Sequence, residues 1–225
     1  MTYEEAVAKS PPGWRRFTIE DVARLPEAVR EREMSHVPPG EPAERVVRAL
    51  FWTLVYHLEP GRWDELARVE PIAPELLDIL PRSVDVAVDV GAGSGRLTEH
   101  LLRRSRLVVA VEPSAGLRAI LVRRLPAVCV VSAWAEALPL IDGCAQLIAA
   151  CGAFGPEEAV LDEMRRAAAP GGEIALISPE QPEWFEENGW RRIVAPAPAV
   201  PRHPRELDDF FGPPDPPHQM VTTTF

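Results

Sequence analysis

The chain has 225 residues, 46% apolar and 26% charged, with a formal net charge of −10 at neutral pH. That composition suits a globular protein and excludes extended disorder, while the excess of carboxylates repels a phosphate backbone, so no nucleic-acid partner is expected. No apolar run approaches the roughly 20 residues that span a bilayer, and the opening "MTYEEAVAKS" is acidic where a signal peptide is basic. No membrane partner and a cytoplasmic location are therefore expected.

In chain order, the prolines of "SPPG" and "HVPPG" break the first forty residues into short helical pieces, of which "TIEDVARLPEAVRERE" has the clearest helical spacing. "EPAERVVRALFWTLVYHLEPG" predicts one stronger helix. Pro42 suits its first turn, Val46, Val47, Leu50, Phe51, Leu54, Val55 and Leu58 form an apolar face, and Pro60-Gly61 ends it. "WDELARVEPIAPELLDILP" supplies another broken helix. Residues 1–69 are expected to form a helical cap or lid, with 70–225 as the core of one compact unit.

From Val84 short apolar runs alternate with amphipathic stretches, the signature of βαβ units and a parallel sheet. The predicted strands are "VDVAVDV", "RLVVAVE", "AVCVV", "AQLIAA" and "EIALIS". Between them lie helices at "SGRLTEHLLRR" and "SAGLRAILVRRL", a turn at "AEALPL", and a helix at "PEEAVLDEMRRAA" that stops at "PGG". "PEWFEENG" predicts a further helix. "WRRIVAPA" and "HQMVTTTF" suit a closing antiparallel pair, joined by a Pro-rich excursion, "PAVPRHPRELDDFFGPPDPP", too long for a simple hairpin. The fold class is α/β: a Rossmann-like, doubly wound, mostly parallel sheet with helices on both faces.

Cys129, Cys144 and Cys151 are odd in number and lack a Cys-x-x-Cys spacing, while His36, His57, His100, His203 and His218 are scattered, so neither a disulfide framework nor a metal is expected. The arginine pairs 15–16, 103–104, 123–124 and 165–166 fall near predicted helix ends, where cations suit the helix dipole.

"DVGAGSG" sits at the first strand-to-helix turn, where open parallel sheets bind ligands. Gly91, Gly93 and Gly95 allow a tight turn and let a ligand touch main chain, since a Cβ there would take its volume. Arg96 stands where a dinucleotide fingerprint has its third glycine, which weakens a pyrophosphate-binding loop. Glu112, about twenty residues on at the end of the second strand, is placed for an acid that accepts both hydroxyls of a ribose.

In this order and spacing "VDVGAGSG", "VVAVEPS", "AEALPL", "LIAACGAF" and "AAAPGGEIALI" resemble the class I S-adenosylmethionine-dependent methyltransferases, and within them the small-molecule group that includes the ubiquinone and menaquinone methyltransferases. The resemblance covers about residues 70 to 195. It implies a seven-stranded sheet with the last strand antiparallel, S-adenosylmethionine as cofactor and a small-molecule acceptor. It also implies that Asp89, Gly91, Ala92, Gly93 and Gly95 hold the methionine moiety and Glu112, with Pro113, the ribose. Trp134, Ala135 and Glu136 would meet the adenine, and Cys151 would lie beside the donor.

Two positions depart from the family. Trp134 replaces the Asp that bonds the adenine amino group, so either Trp134 packs on the ring or Glu136 supplies the polar contact. Gln146 replaces an Asp of the fourth strand, which reads as a structural exchange. Methyl transfer from a sulfonium is an in-line displacement that needs positioning first and a base only optionally. The loop "CGAFGPEE" offers Cys151, Glu157 and Glu158, and both glutamates suit the start of a helix. From the cap, Tyr3, Trp14, His57 and Trp63 could close over a substrate, with His57 the best candidate for a general base. The competing expectation is a protein that binds the cofactor or a partner on this fold without turnover.

Overall fold

Prolines and caps cut the first eighty residues into short helices: α1 (Tyr3–Lys9), α2 (Ile19–Arg24), α3 (Glu27–Ser35), α4 (Ala43–Ala49), α5 (Phe51–Leu58), α6 (Pro60–Val69) and α7 (Pro74–Ile79). The computed structural model describes residues 1–200 and 202–225. Capping boxes at Thr2 with Glu5 and at Thr18 with Asp21 open α1 and α2 by satisfying otherwise unpaired N–H groups. The single helix expected over 41–61 is two. Leu50, at φ −89° and ψ 10°, ends α4 and opens α5. Pro60, expected only as a stop, also supplies the first turn of α6, where its missing N–H costs nothing.

The core is a seven-stranded sheet in the order β3-β2-β1-β4-β5-β7-β6. Its strands are β1 (Val84–Val90), β2 (Ser105–Val111), β3 (Cys129–Val131), β4 (Ala145–Cys151), β5 (Ala168–Ile177), β6 (Arg191–Val194) and β7 (Gln219–Thr224). β7 runs antiparallel to both its neighbours, and the other pairings within the β3 to β5 part are parallel. The last four residues of β1 and of β2 are all buried, as expected of parallel strands covered on both faces. Successive side chains point to opposite layers. Val88, Val90, Ile148, Ile174 and Leu176 pack on α10 (Glu158–Ala167) and α11 (Pro182–Glu187). Ala87, Val108, Leu147, Ala175 and Ile177 pack with Leu76 and Leu77 of α7 and Leu101 of α8 (Thr98–Leu101). α9 (Ala115–Arg124) lays Leu121 on Ala92 and Ala110.

Three expectations are corrected. The helix at 94–104 shrinks to Thr98–Leu101, because positive φ values at Gly93 and Gly95 keep the chain in a turn. The helix before "PGG" ends as expected, but β5 begins directly after it at Ala168 and not at Glu173, and a register shift opposite Ala145 to Leu147 absorbs the extra residues. The Pro-rich excursion holds α12 (Arg205–Phe211), which leaves the sheet and packs into the cap.

The cap therefore has its own core, drawn from both ends of the chain. Phe17, Val22, Val47, Phe51, Leu54 and Val55 gather around Phe210 of α12. Phe51 and Phe210 have ring centroids 5.4 Å apart, and Trp52 stacks on Phe211 at 5.6 Å. A Cβ on Gly13 would collide with Phe210, so the 3₁₀ turn Pro12–Arg16 can press against α12 only with glycine there. Among the described residues no helix is long and apolar enough to cross a membrane.

Candidate functional site

The carboxyl ends of β1, β2 and β4 open beneath the cap. Between β1 and α8 the chain turns sharply: Gly91, Gly93 and Gly95 have φ of +71°, +57° and +99°, values that side chains disfavour. The N–H groups of Gly91 and Ala92 both donate to the Val111 carbonyl, at 2.9 and 3.0 Å, which pins the loop against the end of β2.

Each glycine yields to a different neighbour. A Cβ on Gly91 would lie 3.1 Å from Ala153 and 3.4 Å from Phe154, and one on Gly93 would lie 3.0 Å from Nε1 of Trp63. One on Gly95 would press on Leu121 and Leu125 of the α9 segment. A side chain at the third glycine would thus intrude on helix packing.

Glu112 is 5% exposed. Its Oε2 accepts from the Gly93 N–H at 2.9 Å and its Oε1 from the Ser114 N–H at 2.7 Å. Each oxygen retains a further lone pair for a ligand hydroxyl. Burial raises its pKa, opposed by those two N–H groups. Asp89 is 1% exposed: Thr98 Oγ1 donates to its Oδ2 at 2.5 Å, while Oδ1 is buried without a partner. Burial lifts its pKa to about 7.

A cavity of about 590 Å³ lies between this loop and the cap. Gly91, Gly93, Glu112 and Pro113 form one part of its wall, Trp134, Ala135 and Glu136 another, and Cys151 the end of β4. Asp89, Ala92 and Gly95, expected at the donor, are not among the residues that line the cavity. Asp89 braces Thr98, and Ala92 packs on Ala110 and Leu121.

Of the cap residues expected to close the site, Tyr3, His57 and Trp63 line the cavity. Trp14 does not; it packs in the cap core beneath Arg48, whose guanidinium carbon is 5.3 Å from its ring. Burial, and then Arg118, lower the pKa of His57, so its imidazole is neutral at neutral pH. Tyr56, next to it, also faces the cavity. Burial, then Glu112, raise its pKa. Ser114 Oγ donates to the Tyr56 carbonyl at 2.6 Å, tying α5 to the end of β2.

One contact was not foreseen. Arg32 of α3 reaches over the cavity, its guanidinium carbon 4.1 Å from the Trp134 ring centroid, and pairs with Glu136. The two residues weighed for adenine are thus held together by one cation from the cap. Nothing in the local sequence around Arg32 signals this. Gln146 proves structural as expected: its side-chain oxygen accepts from the Val86 N–H at 2.8 Å. Cys151 is pushed up in pKa by burial, with Arg96 Nη2 3.7 Å from its Sγ.

The sheet order, the antiparallel β7 and the glycine turn after β1 define the class I methyltransferase fold. Residues 87–172 match the family model described as a methyltransferase domain. An uncharacterized methyltransferase of Mycobacterium tuberculosis is 30% identical over 158 residues, 62% of this chain and 65% of that protein, so the match spans just under two thirds of its relative. One of Exiguobacterium sibiricum is 43% identical over 53 residues, 23% of this chain and 25% of its own length. Two solved structures share the fold. A SAM dependent methyltransferase from Aquifex aeolicus has 18% identity and a TM-score of 0.52 over 74% of this chain and 98% of its own. The methyltransferase in complex with the Haloferax volcanii Trm112 activator has 16% identity and a TM-score of 0.54 over 74% of this chain and 93% of its own.

Proposed function

We propose that the protein transfers a methyl group from S-adenosylmethionine to a small-molecule acceptor, as the sequence resemblance to the small-molecule methyltransferases also implies. The single observation that carries the proposal is Glu112, a buried carboxylate with spare acceptor capacity beside a glycine turn, at the end of the strand next to β1. The chain fits the donor in other respects. The glycine turn and Glu112 share one wall of the cavity, and its volume falls in the roughly 300–1,000 Å³ range of small-molecule sites. When bound, S-adenosylmethionine supplies an electrophilic methyl on a sulfonium and is left as S-adenosylhomocysteine.

The residues of this chain then have separable tasks. Glu112 grips the ribose, Gly91 and Gly93 give the donor access to main chain, and Trp134 with Glu136 bounds the adenine end. Trp63 and Tyr56 exclude water from the reacting pair. His57, neutral and on the wall, is the candidate that takes a proton from the acceptor.

Calorimetric titration with S-adenosylhomocysteine tests this. The wild type should bind, and Glu112→Gln should weaken binding by about ten- to a hundredfold, at about 1.4 kcal/mol per decade. Equal affinities would remove the ribose role. A second reading, a protein that binds a partner on this fold without turnover, is favoured by Arg32, which already occupies Trp134 and Glu136. Incubation with S-adenosylmethionine and a panel of acceptors separates the two by formation of S-adenosylhomocysteine.

A further inference from the structure

Two groups bound the end of the cavity assigned above to adenine, the Trp134 ring and the Glu136 carboxylate, and one side chain holds both. Arg32 of α3 lays its guanidinium on the Trp134 face, 4.1 Å from the ring centroid, and pairs with Glu136. That separation is a single stacking layer, so a purine has no room between the two and must take the guanidinium's place. The hold on Arg32 is partial. Its Nε is buried without a hydrogen-bond partner, and Glu33 Oε1 stands 3.8 Å from that nitrogen as a second acid on the same helix. A guanidinium released from Glu136 therefore keeps a carboxylate beside it.

The helix that carries Arg32 is lightly anchored. Val29 is the one buried side chain of α3, and its N-cap, Pro26, makes no side-chain cap bond. Beyond α3 the chain leaves through Pro38, Pro39 and Gly40, where φ is +82° and a Cβ would meet nothing within 4 Å. Besides those of Arg32, the side-chain bonds that tie α3 to other elements among the described residues are two: Arg30 Nη1 donates to the Ala23 carbonyl at 3.1 Å, and Thr53 Oγ1 donates to Glu33 at 3.1 Å. A segment with so little buried apolar surface opens locally at small cost, and the proline at one end and the unobstructed glycine at the other confine the motion to it.

We infer that α3 is a lid over the nucleoside site and Arg32 its latch, closed on Trp134 and Glu136 until an aminopurine displaces it. The inference rests on the methyl-donor role proposed above. The adenine ring then stacks where the guanidinium lay, and the Glu136 carboxylate accepts from the exocyclic amino group in place of Arg32. Because the donor binds only the open fraction of the protein, the latch sets its apparent affinity, and loosening the latch raises it. Arg32 is therefore a competitor of the donor and not one of its ligands.

Calorimetry with S-adenosylhomocysteine on the full chain tests this. Arg32→Ala should bind about three- to tenfold more tightly than the wild type, the combined worth of a partly exposed cation–π contact and ion pair. Arg32→Gln should change affinity in the same direction, and it serves alone if the alanine variant does not fold. The variants' advantage should shrink as sodium chloride is raised from about 0.05 to about 0.5 M, since salt screens the pair that holds the latch shut. Equal or weaker binding by the variants overturns the latch and leaves the donor role standing, because Arg32 would then be a passive wall or a contact of the nucleoside. A gain that salt leaves unchanged also overturns it, for clearing bulk from a pocket gives the same gain at any salt. If neither the wild type nor the variants bind, the donor role falls and the latch with it.

Discussion

Asp89 shows what one buried carboxyl does to a whole chain. Its pKa is about 7 in the fold, raised by burial, against an ordinary value of 3.8. Between those values the native state holds a proton that the unfolded chain has released, so stability falls as pH rises from 4 to 7. The buried Glu70 and Glu112 act with the same sign, and His57 and His100, lowered by burial, act oppositely. The difference between wild type and Asp89→Asn isolates the one group. In urea melts at several pH values that difference should change with a slope of at most about 1.4 kcal/mol per pH unit, and a flat difference would mean that Asp89 is ionised in the fold. Residues of this kind were partly legible. Glu112 was, because its partner Gly93 is only 19 positions away in a pattern that a single strand and turn set. Arg32 was not, since its partner Glu136 lies 104 positions on and only the closed fold brings them together. At Gly95 the pattern announces only that something approaches the backbone, and the neighbours the fold brings there are Leu121 and Leu125.

At the scale of elements, the strands were the legible part. β1 was foreseen to the residue and β2 and β4 to within one, because buried parallel strands are short apolar runs bounded by turns. The break at Leu50 was not, since an apolar face continues unbroken through it. α12 was hidden for a different reason. "RELDDFF" is short and flanked by prolines, and its two phenylalanines find their partners in the cap, nearly 160 positions earlier. Phe210 is 5% exposed among Phe17, Phe51 and Phe211. Phe210→Ala should therefore cost about 3–5 kcal/mol in denaturant unfolding, the range for emptying a buried phenylalanine site. A loss below about 1 kcal/mol would show that the cap core closes without α12.

At the scale of the molecule, cap and sheet are joined around the cavity, by Ser114 to Tyr56, by Arg32 to Trp134 and Glu136, and by Trp63 over Gly93. A nucleoside bound there touches both layers and stabilises them together. Thermal unfolding with S-adenosylhomocysteine at a hundred times its Kd should show a gain of about 2.7 kcal/mol, or roughly 5–10 °C for a chain of this size. An unshifted midpoint at saturation would contradict binding to the native state.

The strand order has a further consequence during synthesis. β6 touches the sheet only through β7, and β7 is made after it yet lies inside it, against β5. On the ribosome, β5 must wait with a bare edge while some forty residues emerge, those carrying α11, β6 and α12. A nascent chain stalled in that interval presents an open template to any neighbouring strand, so the hazard for this protein lies between the synthesis of β5 and that of β7, at one known edge.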